Sequence, residues 1–535
     1  MANAEDSDKR AERLRRAKEL MAQRGGDAAA PVSAPASPPG VPAARTPVAD
    51  QVFPHTAPTP TATGGKQPGL IELITNFFRQ KPAALPPPVQ GTGVIEPPAF
   101  IISVAALTGD ADGAAATQVY QKLTERGVFK VKSLGKVFQL DNLEDPSQVS
   151  AAVLNTRHAV VEEDADLLVW GDVSRDGYRL RLATAAADDE RAAAFGPTTR
   201  VELPLDLAEG PSNLLYAAIL AALDPATEPQ RTAIKKFLPA AAAAAEALAA
   251  RPPVQMSMPQ QRSCQLVFGH VATTAALAVP PEQAQPWFDK GVNAYRQAER
   301  RLTRTDAGWE HGLLHKHVAA TLAAGAERKK EAAAPLWEEA IKEWRLAAET
   351  LPRAIMPHEW ASAQVRLGVA LYRLDLLTGQ TELLREAVQA LQATLQVYSR
   401  TETPQRWADV MHTIAQVLEV YGDQIKNPEV LQRAVDACRS ILEIRTRERT
   451  PLGWATTQNT LGSALFMLDR HTKGGGHLAE AEAALASALE VFLAHGAKGP
   501  AKVAAKNLAH VRKLAESRKS RQVIEPHWLD EPGKK

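Results

Sequence analysis

Across 535 residues, 62 lysines and arginines nearly balance 61 aspartates and glutamates, and the net charge of +1 leaves no global field to draw the chain onto nucleic acid or an anionic membrane. Hydrophobic residues at 45% suit a globular protein with more than one core, while two cysteines in unrelated contexts, Cys264 and Cys438, make neither a disulfide framework nor a metal knuckle. With no apolar run long enough to span a bilayer and no signal-peptide core in the charged N-terminus, the expectation is a cytoplasmic protein with no membrane insertion and no nucleic-acid partner.

Residues 1–26 read as a charged helix with a thin apolar stripe, Leu14, Ala17, Leu20 and Met21. From 27 to 98 the composition changes: 16 of the 38 prolines fall here among Ala, Thr, Ser and Gly, which predicts a disordered linker that buries too little apolar surface to offset its ordering entropy. Within it, "GLIELITNFFRQK" at 69–81 places Leu70, Leu73, Ile74, Phe77 and Phe78 on one helical face. It reads either as a recognition helix on a tether or as a helix packed back onto the chain. "GGK" at 64–66 is no phosphate loop, because Pro60 stands where the first glycine belongs and Gln67 replaces the hydroxyl residue.

Residues 99–225 carry the pattern of a small α/β domain. "AFIISVAAL" is a buried strand, "AATQVYQKLTERG" a helix and "VFKVKSLGKVFQL" a second strand; a helix over about 147–163 then leads to two β-rich runs flanking "SRDG", a hairpin with Asp176-Gly177 at its tip. "RVELPLDL" and "SNLLYAAILAAL" add a strand and a closing helix. The mixture of crossover and hairpin predicts a mixed sheet with helices on one face. The run "ADLLVWGDVSRDGYRLRLAT", followed by a strand and a helix shortly before a repeat array, resembles the TolB N-terminal-like domain found ahead of tetratricopeptide repeats in bacterial proteins. That resemblance implies the fold only; no nucleotide cyclase domain, which some such proteins carry, accompanies it here.

Beyond 226 the chain repeats itself. "PHEWA", "PQRWA" and "PLGWA" open at Pro357, Pro404 and Pro451, 47 residues apart, with Trp360, Trp407 and Trp454 and then Ala361, Ala408 and Ala455. The register continues through Leu367-Gly368, Ile414-Ala415 and Leu461-Gly462, then Leu384, Leu431 and Leu478, Ala387, Ala434 and Ala481, and Leu391, Cys438 and Leu485. Spacings of 3, 4 and 7 within each half, with loops between, make each unit a helical hairpin. Proline's fixed φ and missing N–H suit a helix's first turn, and the tryptophan is expected to face the preceding hairpin, where truncation to alanine costs roughly 3 to 5 kcal/mol if the ring is fully buried. Residues 228–355 hold more divergent hairpins, and "GPAKVAAKNLAHVRKLAES" closes the array as a cap, so that the solenoid spans 226–515 and a basic flexible tail 516–535.

The Leu-Gly landmark in the first helix and small alanines in the second resemble the tetratricopeptide repeat (TPR) family, with a longer unit than that family's usual one. The resemblance implies a superhelix whose first helices line an inner, concave surface. By position it turns Tyr372 and Arg373 toward that surface in one unit, Asp409, His412, Gln416 and Glu419 in the next, and Asn459 and Phe466 in the third.

Chemistry finds little support. His311, His315 and His317 in "HGLLHKH" lack an acidic or cysteine partner in the sequence that would complete a metal site, and Asp110 and Asp112 in "TGDADG" lack the glycine and distal glutamate of a calcium loop. There is no serine elbow, no Cys-His signature and no dinucleotide fingerprint, so neither catalytic residues nor a cofactor or metal is expected. The expectation is a multidomain protein, a small α/β domain with a mixed sheet followed by an all-α TPR-like solenoid, acting as a non-enzymatic scaffold that binds a protein partner, peptide or helix. A sensor whose α/β domain binds a small ligand and whose array relays or oligomerises is the alternative, and a homo-oligomer is left open.

Overall fold

The computed structural model describes residues 99–185, 191–329, 331–472 and 476–524, the side chains of 331 and 519–524 excepted. The expected helix at 1–26, the linker at 27–98 with its stretch at 69–81, and residues 525–535 of the expected tail lie outside the described residues.

Five strands come first: β1 (Phe100–Ala106), β2 (Phe129–Val137), β3 (Leu167–Ser174), β4 (Gly177–Ala183) and β5 (Val201–Leu203), in the order β2-β1-β3-β4-β5. β1 is parallel to β2 and β3, whereas β3, β4 and β5 run antiparallel, so the sheet is mixed as expected. The hairpin closes where Ser174 pairs with Gly177.

Helices cover both faces, a correction to the single covered face expected. α1 (Ala114–Thr124) links β1 to β2 and α2 (Pro146–Glu162) links β2 back across β1 to β3. The two crossovers travel in opposite directions along the sheet, so a common right-handed rule puts their helices on opposite sides. Phe100, Ile102 and Val104 accordingly join one core, and Ala105, Leu168 and Trp170 join the other, beneath Ala152, Ala159 and Val160 of α2.

The first core does not stop at 225. α3 (Glu209–Ala222), α4 (Glu228–Ala250) and α5 (Met258–Ala278) all add to it, through Leu214, Ile219, Ile234, Leu238, Val267 and Val271. Two capping boxes stitch these helices to the sheet. Gln230 caps α4 with Thr227 and donates to Asp166 Oδ1 at 3.1 Å; Gln260 caps α5 with Ser257 and donates to the Asp176 carbonyl at 2.8 Å. Each glutamine thus satisfies a helix start and a sheet contact with opposite ends of one amide.

The helices continue as α6 (Pro281–Glu299), α7 (Trp309–Arg328), α8 (Ala334–Thr350), α9 (Pro357–Thr378), α10 (Thr381–Thr394), α11 (Pro404–Gln424), α12 (Pro428–Leu442), α13 (Pro451–His471), α14 (Leu478–Ala494) and α15 (Lys498–Ile524). α5 packs on α6 and α7 on α8 as the expected hairpins. The chain divides into two compact units, one up to Ala370 and one from Leu371, with the division inside α9.

In the second unit the helices from α10 to α15 each pack on the next, and α11 also meets α13, as α13 meets α15: the pattern of a repeat solenoid. Pro404 and Pro451 are the first residues of α11 and α13, as Pro357 is of α9. Ala361, Ala408 and Ala455 are fully buried, as are Ala387, Ala434, Ala481, Leu391, Cys438 and Leu485. Gly462 shows why the landmark glycine sits there: a Cβ would lie 2.6 Å from Leu485 Cγ and 3.0 Å from the Ala481 carbonyl of α14. α15 runs on through 516–524, into the stretch read from the sequence as a tail.

Candidate partner-binding faces

The eight residues assigned to an inner surface separate into two groups. Asp409 is exposed, and Gln416, Asn459 and Phe466 are half-buried. Tyr372, Arg373, His412 and Glu419 are buried, at 2%, 7%, 8% and 4% exposure, and serve the chain's own packing. Burial pushes the His412 imidazole down to about 3, the Arg445 guanidinium adding to it, and neither ring nitrogen has a hydrogen-bond partner. Burial pushes the Glu419 carboxyl up to about 7 although the Ser463 hydroxyl donates to it. Asp409 pairs with Arg445, which also donates to Thr457 Oγ1 at 3.3 Å. Asn459 accepts from Asn507 Nδ2 at 3.4 Å, and Arg470 lies 5.9 Å from the Phe466 ring centre.

The repeated tryptophans are half-buried rather than fully buried, which corrects the expected seat. Each carries an arginine on its open face: Arg353 over Trp360 at 5.2 Å, Arg400 over Trp407 at 5.4 Å and Arg447 over Trp454 at 5.7 Å. These arginines also recur every 47 residues, a signal present in the sequence but outside the five-residue motif. In the second unit Arg400 reaches Glu443, and Arg447 reaches Glu490 at 2.5 Å, again one repeat apart. Such a cation on an aromatic face is worth about 0.5–1 kcal/mol when exposed.

A second ladder joins the far ends of the first helices. Gln424 donates to Asp375 Oδ2 at 2.9 Å, His471 lies 2.8 Å from Asp423 Oδ1, and Arg518 of α15 pairs with Asp469, whose carbonyl accepts a further bond at 3.4 Å. Burial holds the Asp375 carboxyl up at about 6.

In the first unit an irregular stretch, Phe195–Arg200, crosses the first helices of successive hairpins. Phe195 packs on His270 of α5 with ring centres 4.3 Å apart; Thr198 donates to Glu359 Oε1 of α9 at 3.4 Å; Arg200 lies 3.2 Å from Glu310 Oε1 of α7. Below Phe195, His270 meets Tyr295 (3.1 Å, Nδ1 to hydroxyl) and His317, whose ring stacks on Tyr295. Burial holds His270 well below its ordinary value and pushes His317 down to about 4, Lys316 contributing. Arg262 binds Asp306 at 2.9 Å and Glu310 at 3.1 Å, and a cleft remains beside Arg200, lined by Leu266, Trp309, Leu313 and His317.

The His311 and His315 pair does find acidic neighbours in space. His315 lies 2.7 Å from Glu343 and 3.4 Å from Glu299, and His311 lies 3.2 Å from Glu299. The hydrogen bond to Glu343 raises His315 above its ordinary value. Among the described residues no group of three or more such side chains is arranged to hold a metal ion, and no helix is long and apolar enough to cross a membrane.

No family model matches the chain, and no curated protein matches it. Among solved structures it is similar to a circular tandem repeat protein with novel repeat topology and enhanced subunit contact surfaces, at 14% identity over 59% of this chain and 84% of that one, with a TM-score of 0.24. A likeness that weak adds nothing to what the helix packing itself establishes.

Proposed function

We propose that this chain is a non-catalytic, cytoplasmic scaffold of the TPR type, preceded by a TolB-like α/β domain, which holds a partner's extended segment or helix on the face of its first helices. The observation that carries the reading is a division of labour within the repeat. Residues that seat the hairpins (Pro404 and Pro451, Ala408 and Ala455, Arg400 and Arg447) return in register, while those reaching solvent on the first helices (Asp409, Gln416, Asn459, Phe466) differ between copies. Varied side chains on a repeated frame are what selective recognition requires, whereas chemistry needs one constellation only once. The bacterial TolB resemblance and the near-neutral charge agree with a protein partner rather than nucleic acid.

Partner capture by the full chain tests this, with and without Gln416→Arg, Asn459→Arg and Phe466→Ala together. Specific partners are expected to be lost from the triple variant while circular dichroism and melting stay unchanged. Undiminished capture by a folded triple variant sinks the reading.

A further inference from the structure

Phe195–Arg200, "FGPTTR", touches three first helices in the manner of a bound peptide: an aromatic anchor on α5, a hydroxyl three residues later on α9, and a cation five residues later on α7. It has no regular secondary structure, so its backbone is not committed to the sheet until β5 begins. The fit is also incomplete. The cleft lined by Leu266, Trp309, Leu313 and His317 stays open beside Arg200. A ligand that filled the cleft would gain the contacts the resident leaves unmade there.

We propose that Phe195–Arg200 is a resident occupant of a peptide groove built by α5, α7 and the first turns of α9, displaced by a partner segment that carries an aromatic residue, Ser or Thr three residues on, and Arg or Lys five residues on. The cation is set by Glu310, which faces that position; Arg262 and Lys316, the nearby cations, are already engaged by Asp306 and Glu310 and by Glu359. An acid at the fifth position meets carboxylates instead. Being tethered, the resident competes at an effective concentration on the order of millimolar, so a partner's apparent affinity is its intrinsic affinity reduced by the fraction of open groove. The inference rests on the scaffold reading and extends it to a groove in the first unit.

The probe is a dye-labelled peptide of residues 193–202, AAFGPTTRVE, added to the full chain. A Phe195→Ala/Arg200→Ala variant is expected to bind it at least about tenfold more tightly than the unaltered chain, because the resident no longer competes. The same peptide with Phe and Arg replaced by Ala is expected to bind neither. In the unaltered chain, millimolar peptide is expected to speed hydrogen exchange at residues 191–202 and to leave α2 unchanged. A variant that keeps its circular dichroism and melting yet binds no better than the unaltered chain overturns the proposal. If the variant does not fold, exchange decides: acceleration at 191–202 supports a displaceable resident, and none at saturating peptide overturns it. Peptide failure with partner capture still lost in the Gln416/Asn459/Phe466 variant overturns this groove alone; undiminished capture there overturns the scaffold reading instead.

Discussion

Trp454 was legible in the sequence as a joint, but its environment was not. The fixed Pro-x-x-Trp-Ala spacing located it on the first turns of a helix, while the arginine that covers its open face lies seven residues upstream, outside any motif a helical period would reveal. A half-buried ring loses less on truncation than a fully buried one, so Trp454→Ala is expected to cost about 2 kcal/mol rather than the 3 to 5 of a core tryptophan. Combining it with Arg447→Gln in a double-mutant cycle should return a coupling of about 0.5–1 kcal/mol, read from denaturant midpoints. A coupling of zero would mean that Arg447 serves Glu490 alone. Glu419 illustrates the opposite case, a polar residue that a face rule sends to solvent and packing encloses. Its folded carboxyl titrates near 7 against an ordinary 4.5, so its contribution is fully present below about 4.5 and is lost as pH rises through 7. Glu419→Gln should flatten the fall in stability across that window, measured by urea unfolding at a series of pH values.

Helices were readable because their hydrophobic period and proline starts are local, whereas their ends and their cross-repeat ties were not. Arg518 sits past the point where the apolar pattern fades, yet it pairs with Asp469, a carboxylate with no exposure at all. Nothing local in "ESRKSR" distinguishes the arginine that is needed from the basic residues around it. Arg518→Ala strips the buried Asp469 of its cation and leaves it the His477 N–H at 3.1 Å, and removing one member of a buried pair costs about 3–5 kcal/mol. The arginine is about a third exposed, so a value near the lower end is expected, with Lys in its place restoring part. A chain ended at Glu516 should lose as much as Arg518→Ala in thermal melting. If it melts like the full chain, the cap ends where the apolar pattern does.

At the scale of the molecule, the sheet's strands and the array's hairpins were both legible, but the place where one core gives way to the next was not. Hydrophobic pattern marks elements as buried without saying with which neighbours, and so α4 and α5 read as the start of a solenoid although they complete the core of the sheet. The two units that result bury their titratable groups differently. In the first, His270 and His317 are held neutral, so stability present above their unfolded value of about 6.5 is lost as pH falls toward 4. His315, raised by Glu343, contributes fully throughout that window and does not offset the loss. In the second unit His412 acts in the same direction down to about 3, but Glu419 and Asp375, held up at about 7 and about 6, contribute more as pH falls over the same range. Acidification from pH 7 to pH 5 is therefore expected to weaken residues 99–370 more than residues 371–518. Hydrogen exchange resolved along the chain, corrected for the intrinsic pH dependence of the amides, reads the difference directly: protection should fall in α5 and α7 while α11 and α13 hold theirs. Equal losses in both would show that the buried imidazoles of the first unit do not govern its response to acid.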